Sequence, residues 1–149
     1  MLKIFKANYN WNLALSSSLR RSVLLLTADT MYETVDIIKK YEDKISYWVS
    51  EPDKGISDAF NKGIKKSSGE LIGIINSDDM LLPNSLQFIS ESIEEASDVL
   101  FGNGLKMYTN GYTKKYMSLS AHKLYECMAL VHPSVFIRKR AYIKYGLFI

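Results

Sequence analysis

The 149-residue sequence has a single cysteine, three prolines and two histidines, and its 19 basic and 16 acidic residues leave a net charge of only +3. One thiol, Cys127, excludes an internal disulfide framework and any multi-cysteine zinc site, and accords with a reducing compartment. A balance so near neutral, with dispersed charges, gives no electrostatic argument for a nucleic-acid partner. No apolar run approaches the ~18–20 residues of a membrane span. Met1-Leu2-Lys3-Ile4-Phe5-Lys6 has no apolar stretch of the kind a secretion signal needs. Repeats, linkers and low-complexity tracts are also missing. What is there is 47% hydrophobic and 23% charged, ordinary for a globular chain that buries a core. The expectation is one soluble, cytoplasmic domain over residues 1–149, with residues 1–34 atypical.

Along the chain, Asn8, Asn10, Asn12 and Ser16 to Ser18 break any periodicity near the start. Val23 to Leu26 and Ile45 to Val49 read as strands, and Tyr32 to Tyr41 as a helix between them. The loop Glu51-Pro52-Asp53-Lys54-Gly55 precedes a helix whose Ile56, Ala59, Phe60, Gly63 and Ile64 share one face. Lys62, Lys65 and Lys66 read as its solvated side. Leu71 to Ile75 is a continuous apolar run, the pattern of a parallel strand buried on both faces. A further helix is expected with Pro83 in its first turn and Leu86, Ile89 and Ile93 as its stripe. Alternating strands and helices to this point are the grammar of an α/β fold. The pattern then changes to a strand at Val99–Phe101, a hairpin around Thr109-Asn110-Gly111, a helix over about Ser120 to Leu130, a strand at Ser134–Ile137 and a last helix closed by Gly146.

The run 71–75 leads straight into Asn76-Ser77-Asp78-Asp79. Ligands of open α/β sheets sit beyond the carboxyl ends of the strands. Adjacent carboxylates there suit a hard cation such as Mg²⁺ or Mn²⁺, which takes oxygen ligands and bridges diphosphate oxygens. The plainer alternative is that Asp78 and Asp79 cap the next helix and form a turn.

Three longer segments bear on that choice. Ser50-Glu51-Pro52-Asp53-Lys54-Gly55-Ile56-Ser57-Asp58-Ala59-Phe60-Asn61-Lys62-Gly63 resembles a signature of the family 2 glycosyltransferases with the GT-A fold. Gly69 to Asp79 is similar to that family's segment ending L-N-S-D-D, whose acidic pair serves as a DXD motif. His132-Pro133-Ser134-Val135-Phe136-Ile137-Arg138-Lys139, running on to Tyr145-Gly146-Leu147-Phe148, is similar to its H-Q-x-x-F-x-R-R…x-G-x-F segment. The departures are Ser57 for Tyr, Phe60 for Met and Pro133 for Gln.

The resemblance implies a GT-A-like, Rossmann-like, mostly parallel sheet flanked by helices, with a small hairpin and helix part toward the C-terminus. It implies transfer of a sugar from a nucleotide-diphosphate donor to a saccharide or lipid-linked acceptor hydroxyl, with inversion, in surface polysaccharide synthesis. The protein would then stand in the cytoplasm or peripherally at the inner membrane face. By resemblance Asp79 ligates a Mg²⁺ or Mn²⁺ ion, and Asp78 supports the ion or holds the ribose. Asp53, Lys54, Asp58 and Asn61 line the donor side, and His132 stands near the active site. Arg138, Lys139 and Arg140 read either as phosphate ligands or as plain basic surface.

Two expected pieces are missing. The family's base-contacting Asp, in I-I-I-D-G-G-S, falls by alignment on Thr27, with Ala28-Asp29 at the two glycines. Codons for Leu25 to Asp29 can be chosen so that a shifted frame reads Ile-Asp-Gly-Gly, which suggests a frameshift or deletion. The family's general base follows the G-x-F segment, and the sequence ends at Ile149. The expectation is therefore a truncated, partly degenerate glycosyltransferase with weak or no sugar transfer. The alternative is a non-catalytic remnant or binding module of the same ancestry, with an uncovered sheet edge favouring self-association.

Overall fold

The structure, a computed structural model, describes residues 24–27, 32–76 and 79–149. The readings at residues 1–23, Ala28, Asp29, Ser77 and Asp78 lie outside the described residues. The described residues divide into two compact units. One holds the described residues up to Glu70 together with Asn76 and Gly146–Ile149; the other holds Leu71–Ile75 and Asp79–Tyr145.

The first unit is built on a β-α-β arrangement. Strand β1 (Leu24–Thr27) pairs in parallel with β2 (Tyr47–Ser50), Leu24 opposite Tyr47 and Thr27 opposite Ser50. Helix α1 (Tyr32–Lys40) and a 3-10 turn (Glu42–Lys44) connect them. Lys39 and Lys40 close α1, where cations suit the negative end of the helix dipole. Ile38 is only 1% exposed and anchors this unit's core. The Trp48 indole donates to Glu42 Oε1 at 2.9 Å, fastening β2 to the preceding turn. Helix α2 (Ile56–Lys66) runs beside β1 and buries Ile64. Ile56, expected on the buried face, is exposed at the first position of the helix. Ser67 ends α2 by donating its amide to Gly63 O and its hydroxyl to Ile64 O.

The second unit contains a three-stranded antiparallel sheet. Its centre is β7 (Val135–Arg138), flanked by β3 (Leu71–Gly73) and β4 (Val99–Phe101). This corrects the expectation of a mostly parallel sheet: among the described residues, parallel pairing is confined to β1 and β2. The apolar run 71–75 is compatible with either direction of neighbour, and the neighbour it meets is β7, which returns antiparallel. Leu71 and Ile72 are accordingly half-buried. Gly73 is required where it stands, because a Cβ there would lie 2.3 Å from Phe136 Cε1 across the ladder.

Helix α3 (Ser85–Ser92) has Leu86 and Ile89 half-buried and Phe88 exposed, in keeping with the expected stripe. Pro83 sits before the helix, not in its first turn, within a turn closed by Ser85 N donating to Leu82 O at 3.1 Å. Asn84 occupies the N-cap in the left-handed region, φ 63°. The hairpin forms as expected from β5 (Gly104–Met107) and β6 (Thr113–Tyr116). The helix expected over 120–130 reduces to one 3-10 turn, Ala121–Tyr125. Residues 119–128 are all exposed, so an isolated helix there would have no packing partner to offset its nucleation cost. A 3-10 turn (His132–Ser134) enters β7, and α4 (Lys139–Tyr145) follows. Gly146, at φ 102°, terminates α4 in the left-handed conformation that glycine adopts without strain.

Candidate active site

The loop before α2 is shaped by carboxylates. Asp53 Oδ1 accepts the Gly55 amide at 2.8 Å, closing an Asx turn. Asp58, in the first turn of α2, reaches back to accept the Lys54 amide at 3.0 Å. That bond, followed by the nearby Lys62 cation, lowers the Asp58 carboxyl below its ordinary 3.8. Gly55 precedes the helix at φ 121°, a conformation closed to other residues at little cost. The spacing D-x-G-x-x-D thus folds the loop onto the positive end of its own helix.

Lys62 is not a solvated lysine. Its Nζ donates to Pro52 O at 2.8 Å and pairs with Glu51 at 3.1 Å and Asp58 at 3.4 Å. The Glu51 bond, chiefly, raises the Lys62 ammonium above its ordinary 10.5. Lys65 and Lys66 are exposed as expected, Lys66 lying over the Tyr47 ring at 5.4 Å. Lys54 is exposed at the loop tip.

Asn61 does something that the sequence did not announce. Its amide nitrogen donates to Phe148 O at 2.8 Å and its oxygen accepts Phe148 N at 3.0 Å. Ser57 Oγ donates to Ile149 O at 3.0 Å, and the Phe60 and Phe148 rings meet edge to face at 5.5 Å. The side of α2 that carries Ser57, Phe60 and Asn61 therefore grips the segment after Gly146.

In the second unit, Asp79 lies half-buried in the chain beyond β3. It does not cap α3, whose N-cap is Asn84. Its neighbour Asp78 lies outside the described residues. Among the described residues no three His, Cys, Asp or Glu side chains gather into a metal cluster. A Mg²⁺ or Mn²⁺ ion held against a diphosphate does not need one, since one or two carboxylates suffice when substrate oxygens and waters complete the shell. Asp79, a hard oxygen donor, fits that requirement.

His132 is half-buried at the start of the 3-10 turn before β7. Ser134 in the same turn hydrogen-bonds Gly102 and Val131, joining the ends of β4 and β7. The two arginines of the basic cluster have structural roles. Arg138 is buried, with Nε donating to Ser97 O at 2.8 Å and Nη2 to Glu94 O at 3.1 Å. Arg140 pairs with Asp98 at 2.6 Å and donates to Glu95 O at 2.8 Å. Both guanidiniums are thus committed to the loop between α3 and β4.

The first unit thus holds a β-α-β arrangement and a carboxylate-shaped loop entering a helix, and the second holds an aspartate beyond an apolar strand. The sequence profile described as Glycosyl transferase family 2 matches residues 13–146, and the chain belongs to that family. Its members transfer sugars from nucleotide-sugar donors to acceptors and are often dependent on divalent metals. The chain has no significant match among curated proteins.

Proposed function

We propose that the protein binds a nucleotide-diphosphate sugar with a divalent cation at Asp79 and Asp78, as a member of surface polysaccharide synthesis with reduced transfer activity. The observation that carries this reading is the family match across 13–146, with Asn76-Ser77-Asp78-Asp79 directly after the apolar run. When bound, Mg²⁺ or Mn²⁺ neutralises charge on the diphosphate leaving group. Asp53 and Asp58 hold the 51–55 loop in shape, and Lys54 presents a point cation to phosphate oxygens. His132 stands with the residues that bind the nucleotide sugar. Asn61 contributes through the chain segment it grips. Thr27 ends β1, at the position where the family resemblance expects the base-contacting Asp; a hydroxyl in place of a carboxylate there would weaken base recognition. The acceptor is a saccharide or lipid-linked hydroxyl at the inner membrane face.

Titration calorimetry with Mn²⁺ and a panel of nucleotide sugars tests the reading. One or more donors should bind, Asp79→Ala should abolish that binding, and Thr27→Asp should tighten it. Unchanged binding in Asp79→Ala refutes the cation assignment, and rapid turnover of any donor refutes reduced activity. A folded protein that binds no donor would be the remnant instead.

A further inference from the structure

The chain between β4 and the turn before β7 forms an exposed arm. From Gly102 to Met128 every residue is exposed except Gly104 and Ser118. Ser118 fastens its base, donating its hydroxyl to Gly102 O and its amide to Asn103 Oδ1 and accepting the Val131 amide. Beyond that base stands the β5–β6 hairpin, whose register sorts its side chains onto two faces. Gly104 opposes Tyr116 and Lys106 opposes Lys114. Tyr108 N donates to Tyr112 O at 2.9 Å, which carries the same pairing one row further toward the turn. Side chains two positions apart on a strand share a face, so Lys106, Lys114, Tyr108, Tyr112 and Tyr116 stand together. The ring contacts agree. Tyr108 meets Tyr112 at 5.6 Å, Lys106 lies over Tyr108 at 5.3 Å and Lys114 over Tyr116 at 5.9 Å. Leu105, Met107, Thr113 and Lys115 take the opposite face.

The tyrosine–lysine face is built to meet anionic oxygen. Between Asp98 and Glu126 there is no acidic residue. Like charges directly opposite, as Lys106 and Lys114 are, repel unless an anion lies above them. Ammonium and phenol groups both donate hydrogen bonds, and those from an ammonium to a carboxylate are the stronger kind. Rows on one face follow at about 7 Å, so a tyrosine pair, the lysine pair and Tyr116 succeed one another over about 14 Å. That is the reach of a short chain rather than of a single ion. A stacked nucleobase needs a bare ring face, but Tyr108 lies between Lys106 and a Tyr112 ring tilted at 41°, and Tyr116 has Lys114 over it. A bilayer needs apolar side chains among the lysines, and Leu105 and Met107 point from the other face.

The arm also leaves the sheet at a telling end. Strands β3 and β4 both run antiparallel to β7, and Gly73 and Leu100 flank Phe136 from its two sides. The chain leaving β3 toward Asp79 and the chain leaving β4 toward the hairpin therefore depart from one end of the sheet, the end at which β7 begins after His132. We infer that the face carrying Lys106 and Lys114 binds the acceptor, and that this acceptor is a saccharide chain bearing carboxylates. The inference rests on the reading of the acceptor as a saccharide and names its class.

The test is titration calorimetry of the whole chain with oligogalacturonate, beside a neutral malto-oligosaccharide of the same length. Oligogalacturonate should bind, the neutral chain should bind at least about ten-fold more weakly, and added salt should weaken the binding. Lys106→Gln and Lys114→Gln should each weaken it about two- to five-fold, and Tyr112→Ser should weaken it as well. Lys115→Gln removes the same charge from the opposite face and should leave it unchanged. All four positions are exposed, and circular dichroism checks that the variants fold. Salt dependence and the neutral comparison need no variant at all. Absence of binding, equal binding of the neutral chain, an equal loss in Lys115→Gln, or tighter binding of polyuridylate, polyglutamate or phosphatidylglycerol vesicles overturns the inference. The titration contains neither cation nor sugar donor, and Asp79→Ala should leave it unchanged, so it fails or stands separately from donor binding.

Discussion

Gly73→Ala offers a quantitative test of the second unit's sheet. An added Cβ would lie 2.3 Å from Phe136 Cε1, 2.7 Å from Cδ1 and 3.0 Å from Cζ. Carbon atoms rest at about 3.5–4.0 Å, so the ring must retreat by more than about 1 Å. It has little room to do so: Phe136 is only 6% exposed and lies on the central strand, opposite Leu100 of β4. Overpacking of this kind costs about 1–3 kcal/mol. A value near 2 kcal/mol would lower the melting temperature by about 4–8 °C in a chain of this size. Urea unfolding followed by circular dichroism, with Phe136→Leu and the double variant, isolates the clash. Phe136→Leu should itself destabilise, by less than the ~3–5 kcal/mol of truncation to alanine. In its background the cost of Gly73→Ala should fall by about 1–2 kcal/mol, a coupling expected of residues in direct contact. Additive effects, within about 0.5 kcal/mol, would refute the claim that the ring over β3 is what requires glycine.

Three further outcomes follow from geometry already given. Asn61→Ala removes both bonds to the Phe148 backbone; amide exchange at Phe148 should accelerate, with a stability loss of about 1–2 kcal/mol for two partly exposed bonds. Arg138→Ala leaves the Ser97 and Glu94 carbonyls without their guanidinium partner; it should cost about 2–4 kcal/mol in chemical denaturation, and lysine should not restore the loss because it lacks the fork. Asp58 has a lowered pKa in the folded chain, so its contribution is complete above its ordinary 3.8 and disappears as pH falls through the lower folded value. Asp58→Asn should therefore flatten the acid limb of the stability profile below about pH 4, read by thermal melts across pH; an unchanged acid limb would count against the Asp58–Lys54 bond.

Local patterns were the legible part of this protein. The 51–55 loop, the amphipathic α2, the Thr109-Asn110-Gly111 hairpin and the Gly146 stop all follow from residue chemistry within a few positions. The direction of β3 was not legible, because an unbroken apolar run says that a strand is covered without saying which strand covers it. The stretch 120–130 misled for a different reason: helix-compatible residues form a helix only where something packs against them, and here they face solvent. Among the candidate site residues, the loop-shaping roles of Asp53 and Asp58 follow from their spacing around Gly55. The Asn61 bonds join positions 87 apart, and nothing local in the sequence signals them. Arg138 read either as a phosphate ligand or as plain basic surface, because the sequence around it does not show the carbonyls of Glu94 and Ser97 that take its guanidinium.

The Asn61 grip also has a consequence for what position 148 can be. Both of its bonds go to main-chain atoms, as a neighbouring strand's would. Asn61 therefore recognises the presence of a peptide unit and is blind to the side chain that unit carries. Only proline, with no amide hydrogen to offer, is barred by the bonds themselves. Preference for an aromatic residue at 148 falls entirely to Phe60. Attachment and selectivity at this point of the fold are thus written in two separate residues, one helical turn face carrying both, and substitution can alter either one while leaving the other in place.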